Sequence, residues 1–79
     1  MNFINLLTLA EVLNLLGVGK TKIYGEIQKG TFPPPVKIGS CSRWPAPEVR
    51  ELIAAYVRSA SEEELVHLVS ELVARRTAE

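Results

Sequence analysis

Apolar residues recur at helical spacing in four separate stretches of this chain. Leu9, Val12, Leu13 and Leu16 fall at i, i+3, i+4 and i+7, one stripe along a first helix. Thr8 and Glu11 form a capping box that starts this helix at Leu9, and Gly17 ends it as a C-cap. A second helix is expected from Lys20 to Lys29, between Gly19, a weak N-cap, and Gly30, its stop. Its buried side holds Ile23, Ile27 and the stem of Lys20, turned toward the first helix. Val49, Leu52, Ile53 and Tyr56 mark a third helix, which starts near Pro45 and Pro47, where a missing N–H costs nothing. Ser61 and Glu64 make a second capping box, and Leu65, Leu68, Val69, Leu72 and Val73 give a fourth helix, Glu62 to Arg76, its apolar face.

Between the second and third stripes the period changes. Pro33-Pro34-Pro35 holds the chain extended, and Val36 and Ile38 then alternate with Lys37 as in a half-buried strand. Gly39-Ser40 supplies a turn and Ser42-Arg43-Trp44 the returning strand. The pattern predicts a hairpin with Lys37 and Arg43 projecting outward and Trp44 anchored inward. Together these elements form a mainly α fold: a winged helix-turn-helix with a small two-stranded wing and an additional C-terminal helix.

The outer side of the second helix carries Thr21, Lys22, Gly25, Gln28 and Lys29, with Lys20 and Tyr24 at its margins. Two ammonium groups and two hydrogen-bonding side chains on one short helix suit a DNA backbone and the base edges of a major groove. On that geometry Lys20, Thr21, Lys22, Gln28 and Lys29 enter or flank the groove, Thr8 and Tyr24 hold phosphates, and Lys37 and Arg43 of the wing touch the backbone or the minor groove. Read blandly, the lysines are a solvated face. Their place beside a basic hairpin favours DNA contact.

Composition sharpens this reading. Seventy-nine residues allow one domain, and a 47% hydrophobic content is ample for a core. The net charge is zero, yet Gly17 to Arg50 has six cations against Glu26 and Glu48, a balance of +4. From Ser59 onward Arg75 and Arg76 face five glutamates, a balance of −3. This divides the chain into a DNA-facing unit, residues 1–58, and a C-terminal helix, residues 59–79, for self-association, partner binding or core packing. One cysteine, Cys41, and one histidine, His67, leave too few soft ligands for a four-ligand zinc site, and no cofactor is expected. With no aspartate and no nucleophile–base pair, the chain does not read as an enzyme. The run from Phe3 to Val18 is interrupted by Asn5, Thr8, Glu11 and Asn14, too polar to span a membrane and without the positive leader of a secretory signal. A reduced, cytoplasmic compartment is the natural expectation. Gly17-Val18-Gly19-Lys20-Thr21 falls short of a phosphate-binding loop, because Asn14 stands where that motif needs glycine and a helix where it needs a strand.

Taken in order, Val18-Gly19-Lys20-Thr21-Lys22-Ile23-Tyr24, Gly30, Phe32-Pro33, Val36-Lys37, Gly39 and Arg43-Trp44 closely resemble the AlpA-like and excisionase-like phage regulators, which carry a MerR-type winged domain. The resemblance covers about Leu7 to Tyr56. It implies a prophage regulator, or a recombination directionality factor that bends DNA and assists an integrase. It also implies that Tyr24 packs its ring and reaches a phosphate with its hydroxyl; a purely structural tyrosine is the equal alternative. Gly25 departs from the family, which usually places arginine or another long polar residue there, so a base reader is missing. The rival class is a protein-interaction module that modulates a regulator or an integrase. The last helix is the surface expected to serve it, as a homodimer contact or an integrase-like partner's site, since its stripe exceeds what three helices need.

Overall fold

Capping decides where the helices of this protein begin and end, and a computed structural model shows it for residues 5–77. The start of the Phe3 run and Glu79 of the acidic tail lie outside the described residues. Leu6–Leu7 form β1 and Leu9–Leu16 form α1. In the capping box between them Thr8 Oγ1 accepts from the Glu11 N–H at 3.1 Å, and Glu11 Oε1 accepts from the Thr8 N–H at 2.8 Å. Gly17, left-handed at φ 67°, ends α1 by donating its N–H to the Leu13 carbonyl at 2.8 Å. Two residues later α2 runs from Lys20 to Lys29 and stops at Gly30, φ 82°.

Val36–Ile38 (β2) and Cys41–Pro45 (β3) make the expected hairpin, and Ala46–Val57 (α3) follows directly, with Pro45 as its N-cap. The hairpin is joined by a strand the apolar pattern does not announce. β1 pairs antiparallel with β3, Leu6 opposite Pro45 and Leu7 opposite Trp44, so the sheet has three strands in the order β1-β3-β2. Four helices take 62% of the described residues, and the architecture is the mainly α, winged-helix arrangement expected. None of these helices is long and apolar enough to cross a membrane.

Trp44 is the largest side chain buried in the core. It is fully buried, and its indole Nε1 donates to the Pro33 carbonyl at 3.0 Å, so its one polar atom is satisfied. Around it lie Val12 of α1, Ile23 of α2, Phe32, and Val49 and Leu52 of α3. Glu62–Arg76 (α4) completes this core rather than leaving its stripe uncovered. Leu65, Val69 and Leu72 are 8%, 7% and 2% exposed, and Leu68 and Val73 pack against the cluster. The expectation of a free apolar stripe on the last helix is thereby corrected: three short helices and a three-stranded sheet leave one side of the core open, and α4 closes it.

Ion pairs fasten the same helix. Arg76 donates to both carboxylate oxygens of Glu48, Nη2 to Oε1 at 2.6 Å and Nε to Oε2 at 2.9 Å, and Nη2 also reaches the Pro34 carbonyl at 2.9 Å. Glu48 is a buried carboxylate of α3, and this two-point pairing compensates its charge. Arg75 reaches Glu51 of α3 at 3.1 Å.

Candidate nucleic-acid interface

The exposed surface of α2 follows from its 100° turn per residue. Ile23 is buried and Ile27 half-buried, which turns Gly25 to the middle of the opposite side. Thr21 and Gln28 lie along one flank of Gly25 and Lys22 and Lys29 along the other, all four exposed. A Cβ built on Gly25 meets nothing within 4 Å, so the centre of this face is bare backbone between two polar ridges. Lys20, at the first position of α2, is exposed as well. Tyr24 sits at the margin, 38% exposed.

Charge on this face is organised by Glu26, whose place the charge balance alone does not reveal. The Glu26 carboxylate lies 3.3 Å from Lys22 Nζ and 3.3 Å from Lys29 Nζ, one helical turn away on either side. Its other oxygen, Oε1, accepts from the buried Thr31 hydroxyl at 2.6 Å. That hydrogen bond, helped by the two lysines, holds the Glu26 carboxyl below its ordinary pKa despite partial burial. The Tyr56 hydroxyl donates to the Thr31 carbonyl at 3.2 Å, and burial, with the nearby Glu26 charge, pushes its pKa up to about 12. The signal was present in the spacing, since Lys22 and Lys29 stand at i−4 and i+3 from Glu26.

Hairpin register revises the picture of the wing. Val36 pairs with Arg43, Lys37 with Ser42 and Ile38 with Cys41. Directly opposed residues share a face and neighbours alternate, so Lys37 and Arg43 leave opposite faces of the hairpin instead of projecting together. Lys37 Nζ donates to Ser42 Oγ at 2.8 Å on one face, while half-buried Arg43 folds an Nη1 donor back to the Ser42 carbonyl at 2.9 Å. Ile38, expected to be half-buried, is 53% exposed near the tip, beyond the reach of the core. Thr8 lies at the N-terminus of α1, half-buried and engaged in its capping box. The structure thus brings Thr21, Lys22, Gln28 and Lys29 together on one helix face, and places Lys37, Arg43 and Thr8 on other elements. Lys20, Lys37, Arg43 and Arg50 enter no ion pair among the described residues.

A family model described as the prophage CP4-57 regulatory protein (AlpA) matches residues 5–57. The chain belongs to this AlpA family of prophage regulatory proteins. No curated protein and no solved structure gives a significant match. The AlpA match takes in β1 through α3 and ends at Val57, the last residue of α3. Helix α4 lies outside the matched segment although it closes the core that the AlpA segment builds.

Proposed function

We propose that the protein binds double-stranded DNA with sequence bias and acts as a transcriptional regulator of a prophage or mobile element. The observation that carries this reading is the face of α2: Thr21, Lys22, Gln28 and Lys29 exposed around a bare Gly25, on a helix whose opposite side is anchored in the core. In a major groove this face brings two ammonium groups and two hydrogen-bonding side chains to phosphates and base edges. Lys20 and Tyr24 flank the groove, and Thr8 meets a phosphate from the N-terminus of α1. Lys37 and Arg43, on the two faces of the hairpin, contact the DNA backbone or the minor groove beside it.

Phosphate contacts make such binding salt-dependent. With three to five of the candidate cations on phosphates, log K falls with log salt at a slope of roughly −3 to −5 per protomer. A mobility shift or anisotropy titration on duplex DNA measures it, and binding that ignores salt, or is absent at about 50 mM salt, refutes the proposal. Footprinting on DNA flanking the gene separates the finer roles: protection of a promoter marks a regulator, protection of an attachment site an excisionase. Leu65, Val69 and Leu72 of α4 are taken up by the core, so a homodimer or an integrase-like partner at this helix meets its outer side.

A further inference from the structure

We infer that Glu26 is the specificity-determining residue of the α2 face: by pairing with both Lys22 and Lys29 it positions the two ammonium groups and suppresses binding to non-cognate DNA. The inference rests on the DNA-binding reading above and concerns the same surface.

Three observations support it. Glu26 lies beside the outer face and not within it, with a side chain 15% exposed against 63% for Lys22 and 52% for Lys29. A DNA backbone therefore meets the lysines before it meets the carboxylate. Second, Glu26 is itself held. The Thr31 hydroxyl has one hydrogen to give, and the 2.6 Å contact to Oε1 is far shorter than its 3.1 Å approach to the Glu26 carbonyl, so the charged acceptor takes it. Thr31 is in turn fixed by its own N–H on the Glu26 carbonyl at 3.0 Å and by Tyr56 on its carbonyl. The anchor of the ion pairs is thus buried structure. Third, both lysines converge on one oxygen, Oε2, at equal distance, so each loses reach toward solvent on the same side of the helix.

The consequence for recognition is asymmetric. On a random duplex, binding is almost wholly phosphate attraction, and a carboxylate between the two cations weakens it directly. On a cognate site hydrogen bonds to base edges add affinity beyond the phosphate attraction, and an ammonium group whose freedom Glu26 has already restricted loses less of it on binding. Glu26 accordingly lowers non-cognate affinity more than cognate affinity, and the ratio between them rises.

The test compares Glu26→Gln with Glu63→Gln, which makes the same change in net charge at an exposed position of α4 that enters no ion pair among the described residues. The probes are a short duplex of random sequence and the duplex that wild-type protein enriches from a random pool, each titrated across salt. For Glu26→Gln the random-duplex affinity should rise about 3- to 10-fold and its salt slope steepen by roughly one, while cognate affinity moves less. Glu63→Gln should leave the ratio at the wild-type value. A Glu26→Gln protein whose ratio equals that of Glu63→Gln, or whose random-duplex affinity falls, overturns the inference alone. Failure of wild type and Glu26→Gln alike to bind any duplex overturns the DNA reading and this inference with it. Thermal melting checks folding; should Glu26→Gln not fold, Glu26→Asp, which keeps the charge but retracts it from both ammonium groups, must lower the ratio in its place.

Discussion

Replacing Trp44 tests whether the wing and the helices share one core. Its ring is fully buried where β1, β3 and the stretch from Phe32 to Pro33 meet. Truncating a buried tryptophan to alanine costs about 3–5 kcal/mol, from lost transfer energy and the cavity left behind. A chain of 79 residues has a total stability of roughly 4–12 kcal/mol at typical per-residue values. Trp44→Ala therefore removes much or all of it, and the helical ellipticity should melt at far lower temperature or urea concentration. Trp44→Phe separates the two contributions. It keeps an aromatic ring but strands the buried Pro33 carbonyl without its donor, a loss of about 1–3 kcal/mol. The expected order is wild type, Trp44→Phe, Trp44→Ala, followed by circular dichroism in urea with an unchanged m-value. An unchanged midpoint for Trp44→Ala would refute the packing argument outright. Equal losses in the two variants would place the cost in the indole–carbonyl bond instead of the ring.

Other perturbations probe the surface and the last helix. Lys22→Ala should weaken binding by roughly 1–3 kcal/mol and relax preference among sites, whereas Arg43→Ala should weaken cognate and random duplexes alike; the reverse pattern exchanges the roles of helix and wing. Deleting the chain from Ser61 removes Leu65, Val69 and Leu72 from the core, each contributing on the order of 1.5–3 kcal/mol by burial, so the fragment should lose its cooperative melt, and a folded fragment defeats the assignment. Tyr56 has a folded pKa of about 12, above its ordinary 10, so the folded state favours the neutral phenol. Its contribution is complete below pH 10 and fades as pH rises toward 12; the stability difference between wild type and Tyr56→Phe should shrink across that window, and a constant difference contradicts the assignment.

The boundaries of α1, α2 and the start of α4 were legible because they are written locally. Thr8 with Glu11, Ser61 with Glu64, and the left-handed glycines 17 and 30 all act within one turn of themselves. Strand β1 was not legible. Two leucines carry no period, and they become a strand only because Leu7 meets Trp44, far along the chain. The opposite faces of Lys37 and Arg43 were within reach, since a two-residue turn at Gly39-Ser40 pairs position 37 with 42 and so separates it from 43. Of the candidate site, the outer face of α2 could be drawn from helical period alone, but Glu26 could not be given its place without Thr31, which becomes its anchor only once the chain leaves the helix through Gly30. An amphipathic stripe such as that of α4 shows that a helix has a partner without naming it, and here the partner is the rest of the same chain.

That last point changes how the charge of the molecule is understood. In sequence the basic middle and the acidic tail look like two modules with separate partners, but the fold stitches them together. Arg76 neutralises Glu48 and Arg75 reaches Glu51, so the two glutamates of α3 are taken up by the two arginines that end α4. The arginines follow the dipole, which favours cations in the last turn of a helix, and the same placement brings them over α3. With Glu48 compensated, Glu26 is the one acid left within the basic middle, and it sits on the lysine flank of the α2 face. Charges further apart than a Debye length of about 8 Å are largely screened at physiological salt, so a phosphate responds to this local balance and not to the net charge. A protein of zero net charge can in this way present a cationic helix face, with Glu26 the carboxylate paired to both of its lysines.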